Sequence, residues 1–371
     1  MPNFPTAPEL LRQLIAVPSI NPEGDETDGV GEERCAQFVA SLLEDLGAEV
    51  VLEEVLPGRP NVIGRFPSQG RNKLRILLAP HTDTVGVRHM TVDPFAGELR
   101  DGRIYGRGAS DTKGTMAAML RALHELGDRL PQLPCEITFA GFMGEETAQH
   151  GSKHFAQRYP DHDFAIVGEP TGLDVVYVHK GFVWFELNTH GRAAHGSTPE
   201  KGVNAIQDMA RRIVRIEDEI DERLRPYAHP LLGPCTVNLG MVRGGHRANI
   251  VPDSCTAIVD LRTTPALCRA GALETFLALF GDDAPSHRVL GSCEPLETDP
   301  KHPCVLTLQK LGARLAGAPW FCDAARLAAA GIPSVAAGPG SIAQAHTADE
   351  WIEVDGLERG VDFYRTFLEA C

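Results

Sequence analysis

The feature that most constrains the fold is a series of short apolar runs that do not alternate with polar residues. Ile76-Leu77-Leu78-Ala79-Pro80, Ile137 to Met143 and Ala165-Ile166-Val167 are the clearest. A half-exposed strand alternates apolar and polar side chains, so a continuous run describes a strand covered on both faces. Helical patterns lie between these runs. Cys35, Phe38, Val39, Leu42, Leu43 and Leu46 recur at helical spacing and Gly47 supplies a stop. Met116, Met119, Leu120 and Leu123 do the same after Asp111, closed by Gly127. A shorter helix, opened by Pro5-Thr6-Ala7-Pro8, carries Leu10, Leu11, Leu14 and Ile15. Buried strands alternating with helices predict an α/β fold with a mostly parallel sheet flanked by helices.

The pattern changes after about residue 173. Val183 to Asn188 reads as a strand, and a long charged helix follows from about Asn204 to Leu224. Thr236-Val237-Asn238-Leu239 and Cys255 to Leu261 read as strands, and Leu267 to Phe280 as a helix. The order β-α-β-β-α-β suits a small α+β module. From about residue 300 the α/β pattern resumes, with a helix at Val305 to Leu315, a strand at Ser334-Val335-Ala336 and a last helix at Leu357 to Leu368. The expected division is residues 1–173 and 290–371 in one domain, with 174–289 inserted as a second. A length of 371 residues leaves ample chain for both cores.

Composition narrows the partners. Fifty Asp and Glu against 35 Lys and Arg give a net charge of −15, which argues against nucleic acid or an anionic membrane surface. No apolar run approaches the ~18 residues of a membrane span. Met1-Pro2-Asn3-Phe4-Pro5 lacks the basic start and apolar core of a secretory signal. The nine cysteines are odd in number and form no Cys-x-x-Cys, so neither a disulfide framework nor a cysteine zinc site is expected. Together these features place the chain in a reducing compartment, the cytoplasm.

Five short stretches could carry chemistry. His81-Thr82-Asp83 directly follows the Ile76 to Pro80 run. Imidazole ligates zinc, and a nearby carboxylate can hold its other nitrogen; with 14 histidines, such a pair also arises by chance. Asp111, in Gly106 to Gly114, suits either a helix N-cap or a carboxylate bridging two metals. Gly144-Glu145-Glu146 follows another buried run. Adjacent side chains of a strand point to opposite faces, so both acids serve one site only where the strand breaks. Gly168-Glu169-Pro170-Thr171 and Ala345-His346-Thr347 complete the set. Taken alone each stretch is better read without metal: a chance His-x-Asp, a helix N-cap at Asp111, a solvated acidic loop at Glu145-Glu146, and two unremarkable loops. All five lie just after buried runs or glycine turns, where open α/β sheets bind ligands. Two histidines and three carboxylates would suffice for two metals sharing one acid.

These residues resemble the family of di-zinc metallopeptidases and deacylases that includes acetylornithine deacetylase, succinyl-diaminopimelate desuccinylase, aminoacylase and carboxypeptidase G. The landmarks are His81-Thr82-Asp83-Thr84-Val85, Asp93-Pro94-Phe95, Tyr105-Gly106-Arg107-Gly108, Ser110-Asp111-Thr112-Lys113-Gly114, Gly144-Glu145-Glu146, Gly168-Glu169-Pro170-Thr171, His195-Gly196-Ser197-Thr198-Pro199 and Asn249-Ile250-Val251-Pro252. The resemblance implies a zinc-peptidase-like catalytic domain with an inserted ferredoxin-like lid and dimerisation domain. It implies two divalent ions, zinc first, with cobalt or manganese also suited to such ligands. Asp111 would bridge them, His81 and Glu169 would complete one site, and Glu146 and His346 the other. It also implies a cis peptide bond after Asp111. Asp83 would orient His81, and Glu145 would be the general base. His195 would stabilise an oxyanion, usually across a homodimer; alone it reads as a surface histidine beside a turn. Asn249 and Arg262 would contact the substrate, although a salt bridge to Asp260 accounts for Arg262 equally well.

Two departures stand out. Gly144 occupies a position where the family often has Asp. Phe321-Cys322-Asp323-Ala324 lacks the Thr of the related Cys-Thr-Asp-Ala stretch, which leaves Cys322 either near the substrate or in the core. Gly338 to Thr347 looks most like acetylornithine deacetylase, so the expected reaction is hydrolysis of an N-acyl amino acid, N-acetylornithine first, in arginine biosynthesis. Desuccinylase, aminoacylase and dipeptidase activities follow, and a non-catalytic protein that binds metal or an acyl amino acid is the alternative from another class.

Overall fold

The structure is a computed structural model that describes residues 4–24, 29–69 and 73–371. Positions 1–3, which bear on the reading of the amino terminus, lie outside the described residues, as does part of the polar stretch between Asn21 and Glu33. The chain forms two compact units. One comprises the residues up to Tyr177, Thr298–Ala316 and Cys322–Cys371; the other comprises Val178–Glu297 and Gly317–Phe321. The divisions fall later than the expected 173/174 and 289/290. Strand Val175–His179 runs through the first of them.

The first unit is built on the buried runs. Cys135–Gly141, Leu74–Ala79, Phe164–Val167 and Ser334–Ala336 lie side by side in that order, all parallel. Arg59–Arg65 and Glu49–Leu56 extend this sheet with antiparallel pairing at one edge. The central strands show no apolar–polar alternation because they are covered on both sides: Ile76, Leu77, Leu78, Phe139 and Ile166 are each fully buried. The helices take the positions that their apolar spacing predicts. Ala7–Ile15 begins in a capping box made by Thr6 and Glu9. Glu33–Asp45 buries Cys35, Val39, Leu42 and Leu43. Lys113–Leu126 ends at Gly127 and packs against the last helix, Val354–Ala370.

Two helical expectations are corrected. The helix read from Val305 to Leu315 spans only Pro303–Lys310; Gly312 takes a left-handed φ of 97°, and Leu315–Ala318 is a strand. The helix read from Leu267 to Phe280 divides into Pro265–Arg269 and Ala272–Leu277, because Gly271 breaks it at φ 83°. A three-stranded sheet of Trp351–Glu353, Arg103–Tyr105 and Glu98–Arg100 has too few apolar residues to show in the sequence.

The second unit has the order strand Gly181–His190, helix Ala205–Leu224, strands Thr236–Gly244 and Ser254–Thr263, the two short helices, and strand Ser286–Cys293. Its sheet order places Ser254–Thr263 and Gly181–His190 in the middle, with Thr236–Gly244 and Ser286–Cys293 at the edges, all antiparallel. This is a ferredoxin-like arrangement. Helix Ala205–Leu224, capped by Asn204, packs Met209, Ile216 and Ile220 into a core with Phe185, Val259 and Phe276. Among the described residues no helix is long and apolar enough to cross a membrane.

Candidate metal centre

The parallel strands deliver the candidate residues to one end of the sheet. Leu74–Ala79 runs into His81, Cys135–Gly141 into Glu145 and Glu146, Phe164–Val167 into Glu169, and Ser334–Ala336 into the turn that leads to His346. Each lies beyond the carboxyl end of its strand, the crevice where open α/β sheets bind ligands. Gly144, at φ 74°, breaks the strand path before the paired acids. Asp111 enters from the loop before helix Lys113–Leu126, and its peptide bond to Thr112 is cis.

Asp111 turns one carboxylate oxygen toward each histidine. His81 Nε2 lies 3.2 Å from Asp111 Oδ1, and His346 Nε2 lies 3.4 Å from Asp111 Oδ2. His346 Nε2 is also 3.0 Å from Glu146 Oε2. Ligand atoms of His81, Asp111 and Glu146 all fall within 4.8 Å of one another. Behind His81 sits Asp83, fully buried, whose Oδ1 is 3.4 Å from His81 Nδ1 and whose backbone oxygen is 2.9 Å from it. The Asp83 carboxylate also accepts the backbone N–H groups of Glu145 (3.1 Å) and Glu146 (3.0 Å). One side chain therefore fixes the ring and the acidic turn together.

The charges do not balance within the protein. Burial and the nearby Asp111 carboxylate push Glu169 well above the ordinary carboxyl range, and burial and Glu169 do the same to Glu145. Glu146 is raised by burial and by Asp111. Burial alone would lower the pKa of His81, but its hydrogen bonds to Asp111 and Asp83 outweigh it and raise the ring well above its ordinary value. Hydrogen bonds to Asp111 and Glu146 raise His346 to about 10. Raised carboxyls beside raised imidazoles mark a cluster short of positive charge. Oε1 of Glu146 and Oε1 of Glu169 are buried without a hydrogen-bond partner among the described residues. Buried polar atoms are normally paired, so these orphaned oxygens fit ligand positions. Imidazole nitrogen with carboxylate oxygen is a donor set suited to zinc.

Several supporting residues carry no clear signal in the sequence. Glu350, fully buried, accepts from the backbone N–H groups of Gly108 (3.0 Å), Ser110 (2.8 Å) and Asp111 (3.0 Å), and from Arg107 Nη1 (2.8 Å). It shapes the Asp111 loop. Its one hint is its place just after the His346 stretch. Asn21 donates to Asp83 Oδ2 (2.8 Å) and accepts from Arg59, which is clamped by buried Glu32. Cys322 is buried, and burial with the nearby Glu169 and Glu145 charges raises its thiol well above the ordinary value. It is thus both a packed residue and a neighbour of the carboxylates.

Three expected site residues belong to the second unit. His195 is exposed, with Nδ1 2.7 Å from Ser197 Oγ. It neighbours Asn249 through a Gly196 N–H to Asn249 carbonyl bond of 2.8 Å. A Cβ on Gly196 would meet the Asn249 backbone at 3.1 Å, so glycine permits this approach. Arg262 donates from Nε to Asp260 Oδ2 (3.0 Å) and lies over the rings of Phe182 and Phe321.

A cavity of about 400 Å³ in the first unit is lined by Glu146 and His346 and by the exposed Arg88 and His89. That is room for an amino-acid-sized ligand.

Comparison with known proteins agrees with this geometry. Residues 77–370 match the profile described as Peptidase family M20/M25/M40. The chain is 33% identical over 370 residues to acetylornithine deacetylase of Proteus mirabilis (strain HI4320), covering 96% of this chain and 94% of that one. The M20 family metallo-carboxypeptidase Sso-CP2 from Sulfolobus solfataricus has the same fold, with a TM-score of 0.77 at 21% identity over 99% of both chains. Bacillus subtilis YXEP protein, a dinuclear metal binding peptidase, matches with a TM-score of 0.70 at 16% identity over 98% of both chains. Parallel strands that end in His81, Glu146 and Glu169, together with a family match over most of the chain, lead to one conclusion: this protein is an enzyme of peptidase family M20/M25/M40.

Proposed function

We propose that the protein is a di-metal amidohydrolase that cleaves the acyl group from an N-acyl amino acid, with N-acetylornithine the first substrate to test. The observation that carries this reading is Asp111, which presents one oxygen to His81 and the other to His346. On this reading Asp111 would contribute to both cation positions, His81 and Glu169 would hold one cation, and Glu146 and His346 would hold the other. Zinc is the first choice of metal. Bound divalent cations supply an acidified water and a polarised amide carbonyl.

The chain's own residues do the rest. Glu145 takes a proton from the attacking water and passes it to the leaving nitrogen. Asp83 fixes the tautomer and orientation of His81. His195 stabilises the oxyanion, Asn249 contacts substrate, and Arg262 shares its guanidinium between Asp260 and a substrate carboxylate. Arg88 and His89, on the cavity wall beside Glu146 and His346, favour an anionic group on the substrate.

The relative that deacetylates acetylornithine supports N-acetylornithine and a place in arginine biosynthesis. A homodimer through the second unit is supported by its edge strand Thr236–Gly244, where Met241 and Val242 are exposed. The absence of disulfides among nine free cysteines suits a cytoplasmic enzyme.

The test is amine release from N-acetylornithine, N-succinyl-diaminopimelate, N-acetylmethionine and a dipeptide, with added zinc and with chelator. Chelator-sensitive hydrolysis is expected, fastest for N-acetylornithine. No hydrolysis of any of the four would leave a metal or acyl-amino-acid binding protein as the better reading.

A further inference from the structure

We propose that Gln149, held in place by Arg326, is a positioning residue that selects which oxygen of Glu145 carries the proton. The proposal rests on the reading of Glu145 as the proton carrier. Gln149 is almost fully buried, at 1% exposure. Its backbone is left-handed, at φ 56° and ψ 40°, a conformation that glycine adopts more readily than any residue with a long side chain. The chain keeps glutamine there, and both ends of its amide are engaged.

Arg326, in helix Asp323–Ala329, donates from Nε to Gln149 Oε1 at 2.9 Å. A guanidinium has donors only, so the atom that meets it must be the amide oxygen. That contact fixes the amide against a flip and leaves its NH2 facing the other way. Gln149 Nε2 then donates to Glu145 Oε1 at 3.5 Å. Such contacts are often long before substrate binds and tighten in the reacting complex. The frame around the amide is tied down as well. The Gln149 backbone N–H donates to the Gly144 carbonyl at 2.7 Å, which closes the turn that carries Glu145 and Glu146. Ser152 donates to the Gln149 carbonyl at 3.3 Å and also bonds Asp323, which joins the two helices behind the turn. With Oε1 of Glu145 occupied by the amide, Oε2 remains as the oxygen that accepts and returns the proton.

The test uses the full-length, zinc-loaded enzyme. Gln149→Leu is expected to lower kcat about tenfold with KM and zinc content unchanged. Arg326→Met, which frees the amide without removing it, is expected to lower kcat by a smaller factor. The deciding comparison is a double-mutant cycle with Glu145→Gln, in which Gln149→Leu should cost nothing further. A crystal structure of the zinc-loaded Gln149→Leu enzyme should show the Glu145 carboxylate turned from its wild-type orientation. An unchanged kcat in Gln149→Leu, or the same loss in both backgrounds, would overturn the proposal. If Gln149→Leu does not fold, Arg326→Met enters the same cycle with the same two outcomes. Glu145→Gln that keeps wild-type turnover would instead remove the underlying reading, so the two failures are distinguishable.

Discussion

The two histidines that face Asp111 are held in opposite ways. His81 continues a central strand, is 2% exposed, and rests its Nδ1 on Asp83, itself anchored by Asn21 and by the Glu145 and Glu146 amides. His346 sits at a left-handed φ of 62° on a loop, with a side chain 54% exposed, and its ion pairs are to Asp111 and Glu146 through Nε2. The sheet and a buried carboxylate therefore fix one half of the site, whereas the other half depends on its acidic partners. Protein-held geometry and ligand-held geometry respond differently to mutation, pH and metal removal.

The largest effect should come from the residue common to both halves. On the proposed reading, in which two cations share Asp111, Asp111→Ala should take bound zinc from two ions per chain toward none, with activity falling by more than the ~100-fold that loss of a supporting residue costs. Metal analysis after dialysis checks this; a full zinc complement would break the shared-ligand assignment. Asp83→Asn loosens the His81 ring and, through the Glu145 and Glu146 amides, the acidic turn, and should weaken zinc affinity about 10- to 100-fold, as measured by competition with a chromophoric chelator.

Removing each histidine in turn sharpens the contrast. His81→Ala empties a buried position and takes from the buried Asp83 and Asp111 carboxylates the ring they share, so it should destabilise even the metal-free fold by about 3 kcal/mol. His346→Ala should lower zinc binding and cost the metal-free fold less than His81→Ala does, because its ring is half-exposed and its ion pairs are screened. Equal losses in urea denaturation would erase the distinction. Acidity should act on the ligand-held half too. The pKa of His346 is raised to about 10 without metal, so its ring carries a proton at neutral pH and must release it to bind a cation. Apparent zinc affinity should fall as the pH is lowered from 8 to 6.

His179, in the second unit, supplies the smallest and cleanest contrast. It is buried, and burial pushes its pKa down to about 4. Between pH 6.5 and 4 the unfolded chain binds a proton there that the folded chain does not, so stability is lost as the pH falls through that window. The loss should be about 2 kcal/mol at pH 5 relative to pH 7, and His179→Leu should flatten that part of the slope in metal-free protein.

Much of this was legible in the sequence because the ligands follow the least ambiguous elements. Ile76 to Pro80 and Ile137 to Met143 are too uniformly apolar to be anything but buried, and His81 and Glu146 come directly after them. The helix boundaries near Gly271 and Gly312 were less visible, because apolar residues at helical spacing continue past glycines that take left-handed backbone. Glu350, Arg59 and Gln149 were not visible as support. A buried acid that accepts three backbone N–H groups has the same letter as a solvated one, and only the folded loop reveals the difference. Sequence alone balances Arg262 between substrate and Asp260; the structure pairs it with Asp260, a contact that leaves a role toward substrate open to test.

The central claim is that Glu145 moves the proton beside a metal pair shared through Asp111. Its most direct test is the turnover of zinc-loaded Glu145→Gln on the best substrate of the panel, with zinc content measured on the same sample. A loss of at least about 100-fold in kcat with both zinc ions retained is the expected result. Near wild-type turnover with both ions bound would contradict it.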